Sequence, residues 1–334
     1  MMWTKKICPP VLLAGWLSVC LSIGQAQAGF AHRPEVKAWL ATQDELGFSQ
    51  QQVVAMLQAA QRQPRVLPTL AKAPERTWVW SDYRQRLLSA QRIKAGRKFM
   101  RKHAELLSKI EAHYGVPAEY IAAIAGVETN YGRTMGRYPT LGTLATLAFE
   151  HPRRQTFFRK ELAQFLRLSY QHQLDPLAIK GSPAGAIGMG QFMPSSYQAY
   201  AVDGDGDGQV DLLTNTTDSL TSIANYLRRH GWQAGVPIML PVTISAQSLP
   251  EISKKPGRGG VDLHTWHHLG VRWHGQPVPQ SSMDDIKYRL YAFTTHADPE
   301  YLLATGNFYV ITRYNHSLWY ARLVAELAQS LGQQ

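Results

Sequence analysis

Both cysteines of this 334-residue chain, Cys8 and Cys20, lie within its first twenty residues. That stretch has the order of a secretory leader: Lys5 and Lys6, a mostly apolar run from Val11 to Ile23, then Ala26-Gln27-Ala28 with cleavage expected after Ala28. The apolar run is short for a membrane span, and no later segment has about 20 uninterrupted apolar residues. About 306 residues remain after cleavage, none of them cysteine. Disulfides and thiol catalysis are thereby excluded, and the fold must rest on an apolar core. The length suffices for a substantial core or two or three subdomains.

Leu17-Ser18-Val19-Cys20 faintly matches a lipoprotein cleavage box, although valine stands where a small residue is usual. The periplasm is therefore the expected location, with an outer-membrane lipoprotein anchored through Cys20 as the lesser alternative. Peripheral membrane association is expected only with that lipid. The formal charge of +11 falls to +9 when Lys5 and Lys6 leave. A basic secreted protein suits an anionic polymer such as the bacterial wall, or a membrane surface. Secretion and the lack of a recognisable nucleic-acid module argue against nucleic acid.

The run from Pro117 to Tyr131 opens with a helix-starting proline and places Tyr120, Ile121, Ile124 and Val127 at a 3.6-residue period. Glu128, seven residues after Ile121 and four after Ile124, shares that stripe. A carboxylate there is costly unless paired, hydrogen-bonded or protonated, and protonation at neutral pH is what a general acid needs. By itself such a residue more often ends a helix half-exposed or sits in an ion pair.

Helical periodicity also covers 32–70, with Ser49 as a cap, and then Asp82 to Tyr114, Arg153 to Gln173, Pro194 onward, Asp218 to His230 and Ser317 to Leu331. Pro64, Pro68 and Pro74 mark 64–80 as an extended connector. Between Val236 and Phe293, short β-branched runs (Val242 to Ile244, Tyr288 to Phe293) among Pro, Gly and His indicate a small strand-rich insert. His264, His267, His268 and His274 lack the cysteines and the helical frame of a transition-metal site and read as insert surface.

Several blocks together resemble the lytic murein transglycosylase B family of membrane-bound or soluble periplasmic enzymes that cut peptidoglycan glycan strands. They are Gly126-Val-Glu-Thr-Asn-Tyr-Gly132, Leu144 to Ala148, His151-Pro-Arg-Arg154, and the glycine-rich block Lys180 to Tyr197. Ala224-Asn-Tyr226 with His230-Gly-Trp232, and Asn307 to Ser317, complete the order over about residues 30–330. The resemblance implies a mainly α (α+β) fold with a lysozyme-like catalytic core over 96–235 and a helical N-terminal region over 29–95. An insert over 236–300 and a C-terminal segment over 301–334 that completes the cleft would follow.

Glycosidases usually set two carboxylates about 5–5.5 or 6.5–9.5 Å apart. Here the motif supplies one, and Glu150 and Glu161 read as helix-end or surface residues. The family mechanism needs one. Glu128 would protonate the bond from N-acetylmuramic acid (MurNAc) to N-acetylglucosamine (GlcNAc), then take the MurNAc 6-hydroxyl proton as a 1,6-anhydro ring closes. No cofactor enters that chemistry. A lysozyme-type hydrolase on the same core and a silent wall-binding or scaffolding protein are the competing readings. The resemblance also implies that Ser182 and Gln191 lie near the acid and the sugar's acetamido group, with Gly181, Gly185, Gly188 and Gly190 letting backbone approach the sugar. Tyr314, Asn315, Tyr320 and, more loosely, Tyr83 would line the cleft. The partners implied are glycan strands and wall-synthesis or remodelling proteins.

Asp203-Gly-Asp205-Gly-Asp207-Gly208 matches the start of a calcium loop, with the Gln209 carbonyl at the seventh position. Thr214 replaces the usual twelfth-position Glu, which departs from a standard EF-hand, and the family's longer loop would close on Asp218. A structural Ca2+ is expected because every ligand is a hard oxygen.

Overall fold

Ala122, Ala123, Ala125 and Gly126 crowd the middle of the helix that carries Glu128, and their lack of bulk lets other helices approach it closely. The computed structural model describes residues 29–71, 77–245, 251–274 and 285–333. The leader, with Cys8, Cys20 and the cleavage site, lies outside these.

The N-terminal region consists of α1 (Pro34–Leu40), α2 (Gln50–Ala59) and α3 (Val66–Ala71). Then come α4 (Trp80–Leu87), α5 (Ala90–Lys102), α6 (Ala104–Tyr114) and the Glu128 helix α7 (Ala118–Thr129). Next are β1 (Tyr138–Pro139), α8 (Thr140–Glu150), α9 (Gln155–Gln171), β2 (Lys180–Gly181), α10 (Pro194–Tyr200) and α11 (Thr216–Arg229). The remainder is β3 (Met239–Ile244), α12 (Leu263–His268), β4 (Val271–Trp273), β5 (Arg289–Phe293), β6 (Glu300–Ala304), α13 (Gly306–Tyr314) and α14 (Leu318–Gly332).

The chain is mainly helical, as expected. Helix α7 packs most extensively on α14 and also touches α5, α6 and α11. Ile121 and Ile124 of its stripe are fully buried. Pro117 sits just outside, as the N-cap, where its fixed φ suits the helix start. Ser49 caps α2 in a reciprocal box with Gln52. Trp39 of α1 meets Phe149 of α8 edge-on, with centroids 5.8 Å apart, and so joins the N-terminal helices to the α8–α9 pair.

The strand-rich insert is a four-stranded antiparallel sheet in the order β4-β3-β6-β5. Leu240 and Val242 of β3 are buried while Pro241 and Thr243 are exposed, a strict two-residue alternation. They share a separate small core with Leu263, Trp266, Val271 and Leu290. Strand β6 carries the sheet past the boundary expected at residue 300.

Two expectations fail. The connector expected over 64–80 contains α3, because Pro68 lies in the helix's first turn, where its missing N–H has no intrahelical partner to lose. Pro74 lies outside the described residues. Glu161, read as a surface acid, is 3% exposed on the buried face of α9. The histidines of the insert, His264, His267, His268 and His274, are all exposed. No helix among the described residues is long and apolar enough to cross a membrane.

Candidate active site

Glu128 occupies the last turn of α7, and the backbone then bends sharply. Asn130 and Tyr131 take left-handed φ values of 50° and 61°, and Gly132 follows at 82°. Their N–H groups return to the carbonyls of Gly126 and Ala125 for the first two, while Gly132 donates to Thr129 Oγ1 at 3.0 Å. Non-glycine residues in this region store strain that the surroundings must hold, a pattern typical of functional sites.

Glu128 is half-buried, and desolvation of its carboxyl raises its pKa from 4.5 to about 7, opposed by one hydrogen bond from Tyr320. Tyr320 Oη donates to Glu128 Oε1 at 2.6 Å from the first turn of α14. Burial and the nearby Glu128 push the Tyr320 and Tyr314 phenols far above their usual range, so both remain neutral donors. A neutral donor on Oε1 leaves Oε2 to carry a transferable proton.

The glycine-rich block docks on the end of α7 through Thr129, whose Oγ1 donates to the Met189 carbonyl oxygen at 2.9 Å. The block folds back on itself by reciprocal backbone bonds between Ile187 and Phe192. Gln191 sits in that turn at φ 50°, its amide nitrogen donating to the carbonyls of Gly188 (2.9 Å) and Met135 (3.2 Å). These bonds orient the side chain and leave its oxygen as an acceptor. Ser182 Oγ accepts from the N–H groups of Ala184 and Ala186, both at 3.1 Å, which keeps its own proton available for donation.

Only Gly185 and Gly188 of the four motif glycines use a positive φ. Gly190 is instead required by packing: a Cβ there would lie 2.8 Å from the Tyr314 hydroxyl. That hydroxyl donates to the Gly190 carbonyl at 2.6 Å, and the Tyr314 and Tyr320 rings stand nearly parallel, 6.5 Å apart. Asn315 is exposed at the α13–α14 junction. Tyr83 is buried against Trp80 and Trp319. The structure thus brings Tyr314 and Tyr320 to the acid, packs Tyr83 on Trp80 and Trp319, and joins the turn bearing Gln191 to α7.

The two other acids near the motif are committed elsewhere. Glu150 bonds Arg62 (2.6 Å) and Arg33 (2.9 Å); although burial pulls upward, these guanidiniums hold its pKa below the usual range. Glu161 accepts from Ser195 N (2.9 Å) and Oγ (2.7 Å), clamping the start of α10.

In the Asp-rich loop, carboxylate oxygens of Asp203, Asp205 and Asp218 lie within 4.8 Å of one another. Asp218 is fully buried in the first turn of α11 and accepts from Gly204 N and Asp211 N. Burial raises its pKa, opposed by those bonds and reinforced by Asp205 and Asp203. Asp203 instead falls below its usual range because Gly208 N and Gly206 N donate to it. Asp207 stands outside the trio and caps Gln209 N at 2.8 Å. Three crowded hard-oxygen ligands, one fully buried, fit a divalent cation such as Ca2+.

The profile of the transglycosylase SLT domain matches residues 31–329, nearly the whole described chain. The chain belongs to this family. It is 35% identical over 321 residues to membrane-bound lytic murein transglycosylase B of Escherichia coli, covering 93% of this chain and 86% of that one. Its fold is similar to soluble lytic transglycosylase SltB1 of Pseudomonas aeruginosa, solved in a catenated form (TM-score 0.82, 38% identity, 91% of this chain and 98% of that one). It is also similar to E. coli lytic transglycosylase Slt35 in complex with calcium (TM-score 0.80, 35% identity, 90% and 94%).

Two residues that shape this transglycosylase-domain site escaped the sequence reading. Thr129, adjacent to the acid, stands in the sequence only as part of the Gly126 to Gly132 block and gains a role of its own when the glycine-rich block closes on it. Arg322, two residues past Tyr320, is 5% exposed and lies between the Trp80 and Phe293 rings at 4.4 and 4.6 Å. It pairs with Glu326 (2.8 Å) and Glu300, and Glu326 pairs with Arg84. The network ties α14 to α4 and to the sheet. Its one sequence signal was an arginine inside an apolar helix.

Proposed function

We propose that the protein is a periplasmic lytic transglycosylase that cleaves the MurNAc-β-1,4-GlcNAc bond of peptidoglycan, with Glu128 as its single acid/base. The observation that carries this reading is the Glu128 carboxyl, desolvated to a pKa of about 7 and held through Oε1 by Tyr320. A group poised near neutral pH serves equally as acid and base. Glu128 Oε2 donates its proton to the glycosidic oxygen as the C1–O4 bond breaks, and the 2-acetamido group of MurNAc stabilises C1. The resulting carboxylate takes the proton of the 6-hydroxyl as O6 bonds to C1. GlcNAc leaves with a free 4-hydroxyl, a 1,6-anhydro end forms, no water is consumed and Glu128 is regenerated. One carboxylate suffices because the substrate supplies the nucleophile, as in substrate-assisted glycosidases.

In this reading Tyr320 holds and tunes the acid, which its burial favours over stacking on a sugar. Gln191 Oε1 and the Ser182 hydroxyl face the acetamido group as acceptor and donor, while Tyr314, Tyr83 and the exposed Asn315 shape the cleft. The catalytic core spans 96–235 and is completed by 301–334, with 29–95 bracing it and 236–300 as an insert. Asp203, Asp205, Asp207, the Gln209 carbonyl and Asp218 would hold a structural Ca2+, as the calcium complex of Slt35 and the crowded carboxylates support. The ion would offset carboxylate repulsion and fix the loop to α11, which packs on α7. The leader directs the chain to the periplasm, with acylation of Cys20 the alternative.

Mass spectrometry of purified sacculi after digestion tests the reaction. Anhydro-MurNAc ends that vanish with Glu128→Gln support it. Reducing MurNAc ends would mean hydrolysis, and cleavage retained by a folded Glu128→Gln protein would remove Glu128 from the chemistry.

A further inference from the structure

Helix α5 carries Arg92, Lys94, Arg97, Lys98, Arg101 and Lys102 and no acid. Gly96 is its one fully buried residue, pressed so close to Tyr131 and Leu331 that a Cβ would lie 2.2 Å from the Tyr131 hydroxyl. At about 100° per residue, Lys94, Lys98, Arg101 and Lys102 lie on the side of the helix away from Gly96. All four are exposed. Among the described residues none of the four belongs to an ion pair. The packing of Gly96 therefore fixes a cationic stripe about 12 Å long facing outward.

Beside the stripe lies a groove of about 600 Å³ between α5, α6 and the end of α14, lined by Met100, Ala104, Leu107 and Leu331 with Arg97 and Arg101 among its walls. Arg97 is turned inward to the Ser330 carbonyl at 2.8 Å, whereas Arg101 borders both groove and stripe. The acid at the groove, Glu111, accepts the Ala118 N–H at 3.0 Å. A cationic stripe alone suits any polyanion. An apolar groove at its edge favours a polyanion that also presents extended hydrocarbon, as the acyl chains of a phospholipid do.

We propose that this face of α5 and α6 seats the protein on an anionic phospholipid surface, with headgroup phosphates against Lys94, Lys98, Arg101 and Lys102 and acyl carbons in the groove. Such contact needs no lipid on the chain itself. It places the enzyme at a membrane without using any residue proposed to meet the glycan. Each Lys or Arg close to an anionic leaflet contributes roughly fivefold in affinity, so the stripe as a whole is worth several hundredfold.

The test is co-sedimentation with vesicles of phosphatidylglycerol and phosphatidylethanolamine, against phosphatidylcholine vesicles, using the chain with Cys20→Ser so that no acyl group anchors it. Binding to the anionic vesicles alone is expected, falling steeply as salt rises to on the order of 0.5 M. The quadruple change Lys94→Gln, Lys98→Gln, Arg101→Gln and Lys102→Gln should abolish it while cleavage of soluble glycan fragments stays intact. Ala104→Glu, at an exposed position beside the groove, should weaken the binding that survives moderate salt. The proposal is overturned if the parent ignores anionic vesicles or if the quadruple variant binds them equally. It is also overturned if that variant keeps vesicle binding but loses sacculi, which would make the wall polymer the partner. Undiminished binding by Ala104→Glu removes the groove from the account.

Discussion

Replacing Tyr320 by Phe removes one oxygen and tests how the acid is tuned. The 2.6 Å bond from Tyr320 Oη to Glu128 Oε1 favours the ionised carboxylate and opposes a rise caused by burial. Hydrogen bonds to charged groups contribute about 1.5–3 kcal/mol, and a tenfold change in an equilibrium is about 1.4 kcal/mol. The variant's Glu128 should therefore titrate roughly one to two pH units above the wild-type value of about 7. The sign follows from the need for a protonated acid in the first step: activity falls as pH rises through this pKa. The alkaline limb of the rate profile should thus move up by that amount. At its plateau the rate should drop by roughly tenfold or more, because the carboxyl loses its fixed orientation. The assay is the initial rate of anhydro-product release from sacculi between pH 5 and about 10. An alkaline limb that stays in place or moves down in a folded Tyr320→Phe protein would refute the tuning role.

Glu128→Gln should be more stable than wild type at high pH. The folded carboxyl's raised pKa gives stability that is complete below the unfolded value near 4.5 and lost as pH rises through about 7. The variant lacks that loss, which is worth up to about 3 kcal/mol, so its urea midpoint should exceed the wild type's at pH 8 and converge with it near pH 4. Calcium should raise the Tm of the wild type by a few degrees over a chelator control, since an ion at about 100 times its Kd adds about 2.7 kcal/mol. Asp218→Asn should erase that difference, and an equal rise in both proteins would move the ion elsewhere. Gly126→Ala should cost about 1–3 kcal/mol in a chemical denaturation curve, because its Cβ would come within 2.6–2.7 Å of the Tyr131 side chain. A neutral result would mean that the turn after Glu128 yields more easily than its packing implies.

Sequence by itself determined whatever depends on residues close along the chain. The period of Ile121, Ile124 and Glu128 fixed a helix with an acid on its apolar side, since side-chain direction repeats every 3.6 residues. Ser49 as a helix cap, and the β-branched run Val242 to Ile244 as a strand, were likewise legible because they depend on neighbouring residues. The Asp-Gly repeat placed Asp203 and Asp205 on one turn.

Tertiary structure alone decided which distant groups meet. Tyr320 reaches Glu128 across 192 positions, and the desolvation that the fold imposes takes the carboxyl to about 7 against the pull of that bond. Glu161 looked like a surface acid because the Ser195 that satisfies it is 34 residues away. Arg322 is tolerable inside α14 because Trp80, Phe293 and Glu300 arrive from three other segments. A side chain's spacing reports its local face, whereas its desolvation and its partners depend on the fold as a whole.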